Sequence, residues 1–200
     1  EPGSTMKLIT TMTLLETGAA DTNTVVDPEN GVYTIYGKNV RDSRRGGYGE
    51  INLRRAFEVS SNTGIVKLVY ERFKDNPEEY VDFLYRRGVH EKTGVSIKGE
   101  TTPNIPKPSD ANWSGITLPW MAYGYSLSMT PLQLLTFYNA VANDGVMVQP
   151  QIVEQIMDHG RSVENFETKI LNPAICSETT IAKLKVLLEG VVLRGTAKNL

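Results

Sequence analysis

Apolar residues crowd the start of the chain. Met6, Leu8, Ile9, Met12, Leu14 and Leu15 leave few polar positions between them. The spacing predicts a helix from Ser4 to Glu16 that is buried on most sides. Pro2-Gly3 turns the chain into it and Gly18 ends it. From Gly31 to Gly37 the pattern alternates instead, with Val32, Thr34 and Tyr36 set against Tyr33 and Ile35, as in a strand. Glycines and charges make Asp42 to Gly49 a loop. Helical spacing returns at Leu53 and Phe57 and breaks at Ser60-Ser61-Asn62. It resumes from Thr63 to Phe73, with Ile65, Leu68, Val69 and Phe73 on one face. Asn76-Pro77 opens a further helix, with Glu78 and Glu79 in its first turn, that stops at Gly88.

The second half is more broken. Gly94 to Pro119 holds Pro103, Pro106, Pro108 and Pro119, and predicts a long loop of the kind that covers or serves a site. Thr130-Pro131 combines a cap with a first-turn proline, so a helix follows through Leu134, Leu135, Tyr138, Val141 and Ala142 to about Asn143. Met147 to Met157 predicts a strand pair or irregular hairpin, and Ser177-Glu178 a last helix to about Leu193. The balance is helix-heavy, with a few short strands and no internal repeat.

Composition narrows the function classes. With 200 residues, 40% hydrophobic and 22% charged, the chain can bury a core. A net charge of −2 gives no electrostatic case for nucleic acid or an anionic membrane surface. The single Cys176 excludes an internal disulfide framework and a cysteine-based zinc site, and no basic cluster marks it as activated. His90 and His159 lie too far apart for metal-ligand spacing, so they give no case for a metal site. Trp113, Trp120 and Tyr123 suit a peptide groove, though aromatic packing is the simpler expectation. No run approaches the roughly 20 apolar residues that a membrane span needs.

Chemistry concentrates at two short stretches. Ser4 and Lys7 share a helix face if the first helix forms. A serine hydroxyl is a weak nucleophile until a base takes its proton. Burial lowers a lysine pKa and exposes a neutral amine that can act as that base. A serine at a helix start also lies beside free N–H groups suited to an oxyanion. Taken alone, the pair recurs by chance in many proteins and reads more simply as a helix cap beside a solvated lysine. Ser60 and Asn62, in the break between two helices, can point into the same cleft. Ser60 can relay a proton, and Asn62 carries the donor and acceptor that grip a peptide amide. Either Ser60 or Ser61 can instead cap the following helix.

Together the motifs resemble a specific family. EPGSTMK, then AFEVSSNTGIVKL, EKTGVSIKGE, WSGITLPWMAYGYSLSMTPLQLLTFYNAVANDG and VVLRGTAKNL look in order like the transpeptidase domain of class B penicillin-binding proteins. The resemblance runs over 1–200, and the SSN form looks most like the cell-division type. It implies an α/β transpeptidase/serine β-lactamase-like fold, of which this chain holds a partial domain, mainly α. Ser4 would be the nucleophile, Lys7 the base, Ser60 the relay and Asn62 the substrate grip. The reaction implied is D,D-transpeptidation of peptidoglycan stem peptides, with β-lactams as inhibitors and with no metal or organic cofactor needed. Division-machinery proteins would be partners, and the site of action the periplasmic face of the inner membrane, anchored from outside this chain. The family's catalytic K-T-G lies on a cleft strand. Lys92-Thr93-Gly94 comes too soon after Asn62, in a helix-end context, and resembles a second, non-catalytic K-T-G of the family. The catalytic one and most of the central sheet are therefore expected outside this stretch, leaving it poorly reactive alone. A β-lactam sensor or a relative of class D β-lactamases is the alternative, and a non-catalytic division scaffold a third.

Overall fold

The structure, a computed structural model, describes residues 1–199; Leu200, which ends the RGTAKNL run, lies outside the described residues. The first helix, α1 (Lys7–Glu16), runs through the middle of the molecule. Every residue from Met6 to Leu14 is buried, because other helices pack on all its sides. Each of Leu8, Ile9, Met12 and Leu14 contributes about 1.5–3 kcal/mol by leaving water. The turn ahead of α1 is tighter than the sequence suggested, since Gly3–Met6 is a 3-10 helix and Ser4 caps nothing.

Around α1 stand α2 (Leu53–Glu58), α3 (Asn62–Phe73), α4 (Pro77–Arg86), α5 (Thr117–Ala122), α6 (Pro131–Ala142) and α7 (Glu178–Arg194). Helix α1 packs on α3, α4 and α7, while α2 packs on α3 and α7. Phe73 and Tyr80 meet edge to face at 5.6 Å, and the Tyr80 hydroxyl shares a 2.9 Å hydrogen bond with Thr10 on α1. Thr130 and Gln133 form a reciprocal capping box at the start of α6, beside Pro131. Helix α5 was not legible. It begins inside the proline-rich stretch, and Pro119 fits because a first-turn residue needs no intrahelical N–H partner.

The strands are short. Val25–Val26 (β1) pairs with Ile51–Asn52 (β4), and Val32–Ile35 (β2) pairs with Lys38–Arg41 (β3) in a hairpin. The alternation seen from Gly31 is β2, with Ile35 buried, and Val40 is buried on β3 opposite Tyr33. Met147 to Met157 is not one hairpin. Met147–Val148 (β5) pairs with Ile170–Asn172 (β8), and Gln155–Asp158 (β6) pairs with Arg161–Asn165 (β7). The β6–β7 hairpin projects from the body, and every residue from Gln151 to Ile170 is exposed. Among the described residues, no sheet has more than two strands and no helix is long and apolar enough to cross a membrane.

Candidate active site

Backbone contacts fix the turn that carries Ser4. Gly3 has φ +59, a conformation open chiefly to glycine, and its N–H donates to the Gly124 carbonyl at 3.0 Å. A Cβ on Gly124 would lie 2.0 Å from the Gly3 oxygen, so only glycine fits there. Thr5 Oγ1 donates to the Pro2 carbonyl, and the Tyr138 hydroxyl donates to the Thr5 carbonyl at 3.0 Å. Ser4 is left exposed, while Lys7, one turn on, is 2% exposed.

Four oxygens surround the Lys7 amine. Nζ lies 2.6 Å from Asn62 Oδ1, 2.7 Å from the Ser60 carbonyl, 2.9 Å from Ser60 Oγ and 3.2 Å from Ser4 Oγ. Burial pulls the Lys7 pKa down to about 7, against an upward pull from the Asp42 carboxylate. Hydrogen-bond chemistry then orders the shell. The two carbonyl-type oxygens can only accept, and they are the two nearest. A neutral amine gives them its two N–H groups and keeps a single lone pair, which can accept from one serine hydroxyl at a time.

Ser60 reaches Lys7 because of how α2 ends. Ser61 N–H donates to the Ala56 carbonyl at 2.8 Å and Ser60 N–H to the Phe57 carbonyl at 3.0 Å, the Schellman pattern of helix termination. Ser60 holds the left-handed position of that motif, φ +56, where glycine is usual. A side chain there costs about 1–2 kcal/mol. The strain aims both the carbonyl and the hydroxyl of one residue at Nζ. Ser61, not Ser60, caps α3, its Oγ accepting from Gly64 N–H at 3.0 Å.

Asn62 is engaged at both ends of its amide. Its Oδ1 holds Lys7, and its Nδ2 donates to the Arg41 carbonyl at 2.7 Å, which leaves one N–H and one lone pair. Beside it, Asp42 accepts from Ser61 Oγ at 3.0 Å, Thr63 N–H at 3.0 Å and Thr63 Oγ1 at 2.9 Å. An acid at a helix N-terminus is favourable, so Asp42 locks hairpin β2–β3 to the start of α3. Sequence reasoning missed it, because nothing in the Asp42–Gly49 run distinguishes this carboxylate from a solvated one.

The other candidates lie elsewhere. Lys92-Thr93-Gly94 is a loop folded round Glu100, whose carboxylate accepts from Thr93 N–H at 2.7 Å, Thr93 Oγ1 at 2.8 Å and Gly94 N–H at 3.0 Å. Trp113, Trp120 and Tyr123 are partly buried and pack against the core. Cys176 is buried, and burial pushes its thiol up to about 12, which makes it unreactive at neutral pH.

The family model described as "Penicillin binding protein transpeptidase domain" matches residues 1–200. The chain belongs to that family. Its relatives include Penicillin-binding protein PbpB of Mycobacterium tuberculosis, 32% identical over 97% of this chain and 28% of the relative. Peptidoglycan D,D-transpeptidase FtsI of Escherichia coli is 32% identical over 73% of this chain and 23% of its own length. Among solved structures, penicillin binding protein 3 of Mycobacterium tuberculosis in complex with aztreonam superposes with a TM-score of 0.79. It is 30% identical, with 97% of this chain and 42% of that chain covered. The chain thus spans less than a third of the curated relatives described. These likenesses carry the class B penicillin-binding assignment and leave the sensor and β-lactamase readings unsupported.

Proposed function

We propose that this domain, residues 1–200, supplies the acylating machinery of a peptidoglycan D,D-transpeptidase. The observation that carries it is the buried Lys7 amine, its pKa pulled down to about 7 by burial, within hydrogen-bond reach of two serine hydroxyls, one of them exposed. In the reaction, Ser4 Oγ attacks the carbonyl of the penultimate D-Ala of a stem peptide, and its proton passes to Lys7 Nζ. Lys7 and Ser60 return that proton to the departing D-Ala nitrogen as the C–N bond breaks. An amine of a second stem peptide then attacks the ester and restores Ser4, leaving a cross-link. The free N–H and lone pair of Asn62 suit the peptide amide beside the scissile bond. A β-lactam acylates Ser4 by the same attack and keeps its leaving group attached. The FtsI and aztreonam-bound relatives support both the substrate and the inhibitor class.

The strand bearing the catalytic K-T-G, and most of the central sheet with it, are proposed to lie outside this stretch, since the strands described pair only in twos. The parent protein would act in division at the periplasmic face of the inner membrane, held by an anchor outside this chain and working with division-machinery proteins. Losing one oxyanion donor typically costs about 2.7–4 kcal/mol of transition-state stabilisation. Benzylpenicillin and intact-mass spectrometry test both claims. The parent protein should gain one adduct, mapped to Ser4 and lost in Ser4→Ala, while the 200-residue chain alone should label slowly or not at all. An adduct on another residue would refute the role of Ser4. Rapid stoichiometric labelling of the chain alone would refute the missing strand.

A further inference from the structure

Glu58 closes α2, two residues before Ser60, with a carboxylate only 3% exposed. A buried acid is costly unless paired, and this one is paired twice. Arg194, at the end of α7, puts Nη2 2.7 Å from Oε1, and Arg55 puts Nη1 3.2 Å from Oε2. The same Arg55 nitrogen donates to the Arg194 carbonyl at 2.8 Å, tying the two cations together. The Glu58 backbone is held as well, its carbonyl accepting from Thr196 N–H at 3.1 Å. The end of α7 is shaped around this residue. A Cβ on Gly190 would lie 2.3 Å from Glu58 Oε1, and one on Gly195 would lie 2.1 Å from the Glu58 carbonyl oxygen.

We propose that Glu58 is a positioning residue: gripped by Arg194, Arg55 and the Gly195-Thr196 backbone, it fixes the end of α2 so that Ser60 presents both its oxygens to Lys7. The strained φ of Ser60 needs such a restraint, because a free helix end would relax out of the left-handed region. The segment after α7 thereby governs the shell around Lys7 without touching it. The meaning of the grip for acyl transfer rests on the proposed role of Lys7, but the grip can be read without any substrate.

The experiment follows the Lys7 Cε carbon by NMR across pH in lysine-labelled protein, with Lys7→Met giving the assignment. Arg194→Gln and Gly195→Ala open the grip from two sides and alter neither Lys7 nor Ser60. In each, the Lys7 titration midpoint should rise by about one pH unit or more, a tenfold gain in proton affinity, as water enters beside Ser60. Arg194→Lys, which keeps a cation for Glu58, should move it less than Arg194→Gln. A midpoint that stays or falls in either folded variant overturns the proposal, whatever happens to the melting temperature. Arg194 is half exposed, so Arg194→Gln keeps the packing of α7 and decides alone if Gly195→Ala does not fold. Penicillin labelling at Ser4 is a separate measurement, so failure of the grip and failure of the transpeptidase reading are told apart.

Discussion

At the scale of the residue, Ser60 joins a stability cost to its proposed role as proton relay. Glycine relieves the left-handed strain and alanine does not, yet both remove the hydroxyl. Ser60→Gly should therefore be more stable than Ser60→Ala by about 1 kcal/mol in urea unfolding, with both equally poor at acylation. Equal stabilities would remove the strain from the account. In the proposed mechanism Lys7 sets the pH dependence. Ser4 acylation in the parent protein should rise as pH passes through about 7, where the amine loses its proton, and Lys7→Met should abolish the rise. The clustering of Ser4, Lys7, Ser60 and Asn62 was legible because each motif keeps its residues within a turn of one another. The reason Ser60 reaches Lys7 was not legible. It depends on a backbone torsion, and Val-Ser-Ser-Asn after a short helix gives no sign that a serine takes the position glycine favours.

At the scale of the element, the site is a meeting of helix ends. The end of α2, the start of α3 and the turn before α1 converge on one amine, and Asp42 pins the second of these to hairpin β2–β3. Asp42→Ala should cost about 2 kcal/mol, since charge-assisted bonds to Ser61 and Thr63 are lost together. Asp42→Asn keeps the shape but removes the charge that pulls the Lys7 pKa up. The midpoint of the acylation profile should then move to lower pH. A shift to higher pH would show that loosening of α3 outweighs the charge. Helix periodicity was readable wherever one face was buried over ten residues or more, as in α3 and α4. The short α5 and the pairing of β5 with β8 were not, because partners far apart in sequence leave no local pattern.

At the scale of the whole molecule, a core wrapped round α1 carries a lysine that the fold holds unwillingly. The Lys7 pKa is about 7 in the folded chain against an ordinary 10.5, so between those values the unfolded chain binds more protons. Stability should increase with pH across that window, fall as pH drops toward 7, and feel no further cost from Lys7 below it. Urea midpoints at pH 7 and pH 9, compared with those of Lys7→Met, isolate this slope. The family likeness covers the chain from end to end, and the motifs made that legible at once. The fold's helical bias was legible too, whereas the sheet arrangement rested on the resemblance alone. The projecting β6–β7 hairpin has a practical consequence. From Gln151 to Ile170 no side chain enters the core, yet Ile152, Ile156, Met157 and Val163 face solvent. This finger is a natural place to splice in an epitope or fluorophore, and trading its greasy residues for serine or lysine would make the protein easier to concentrate.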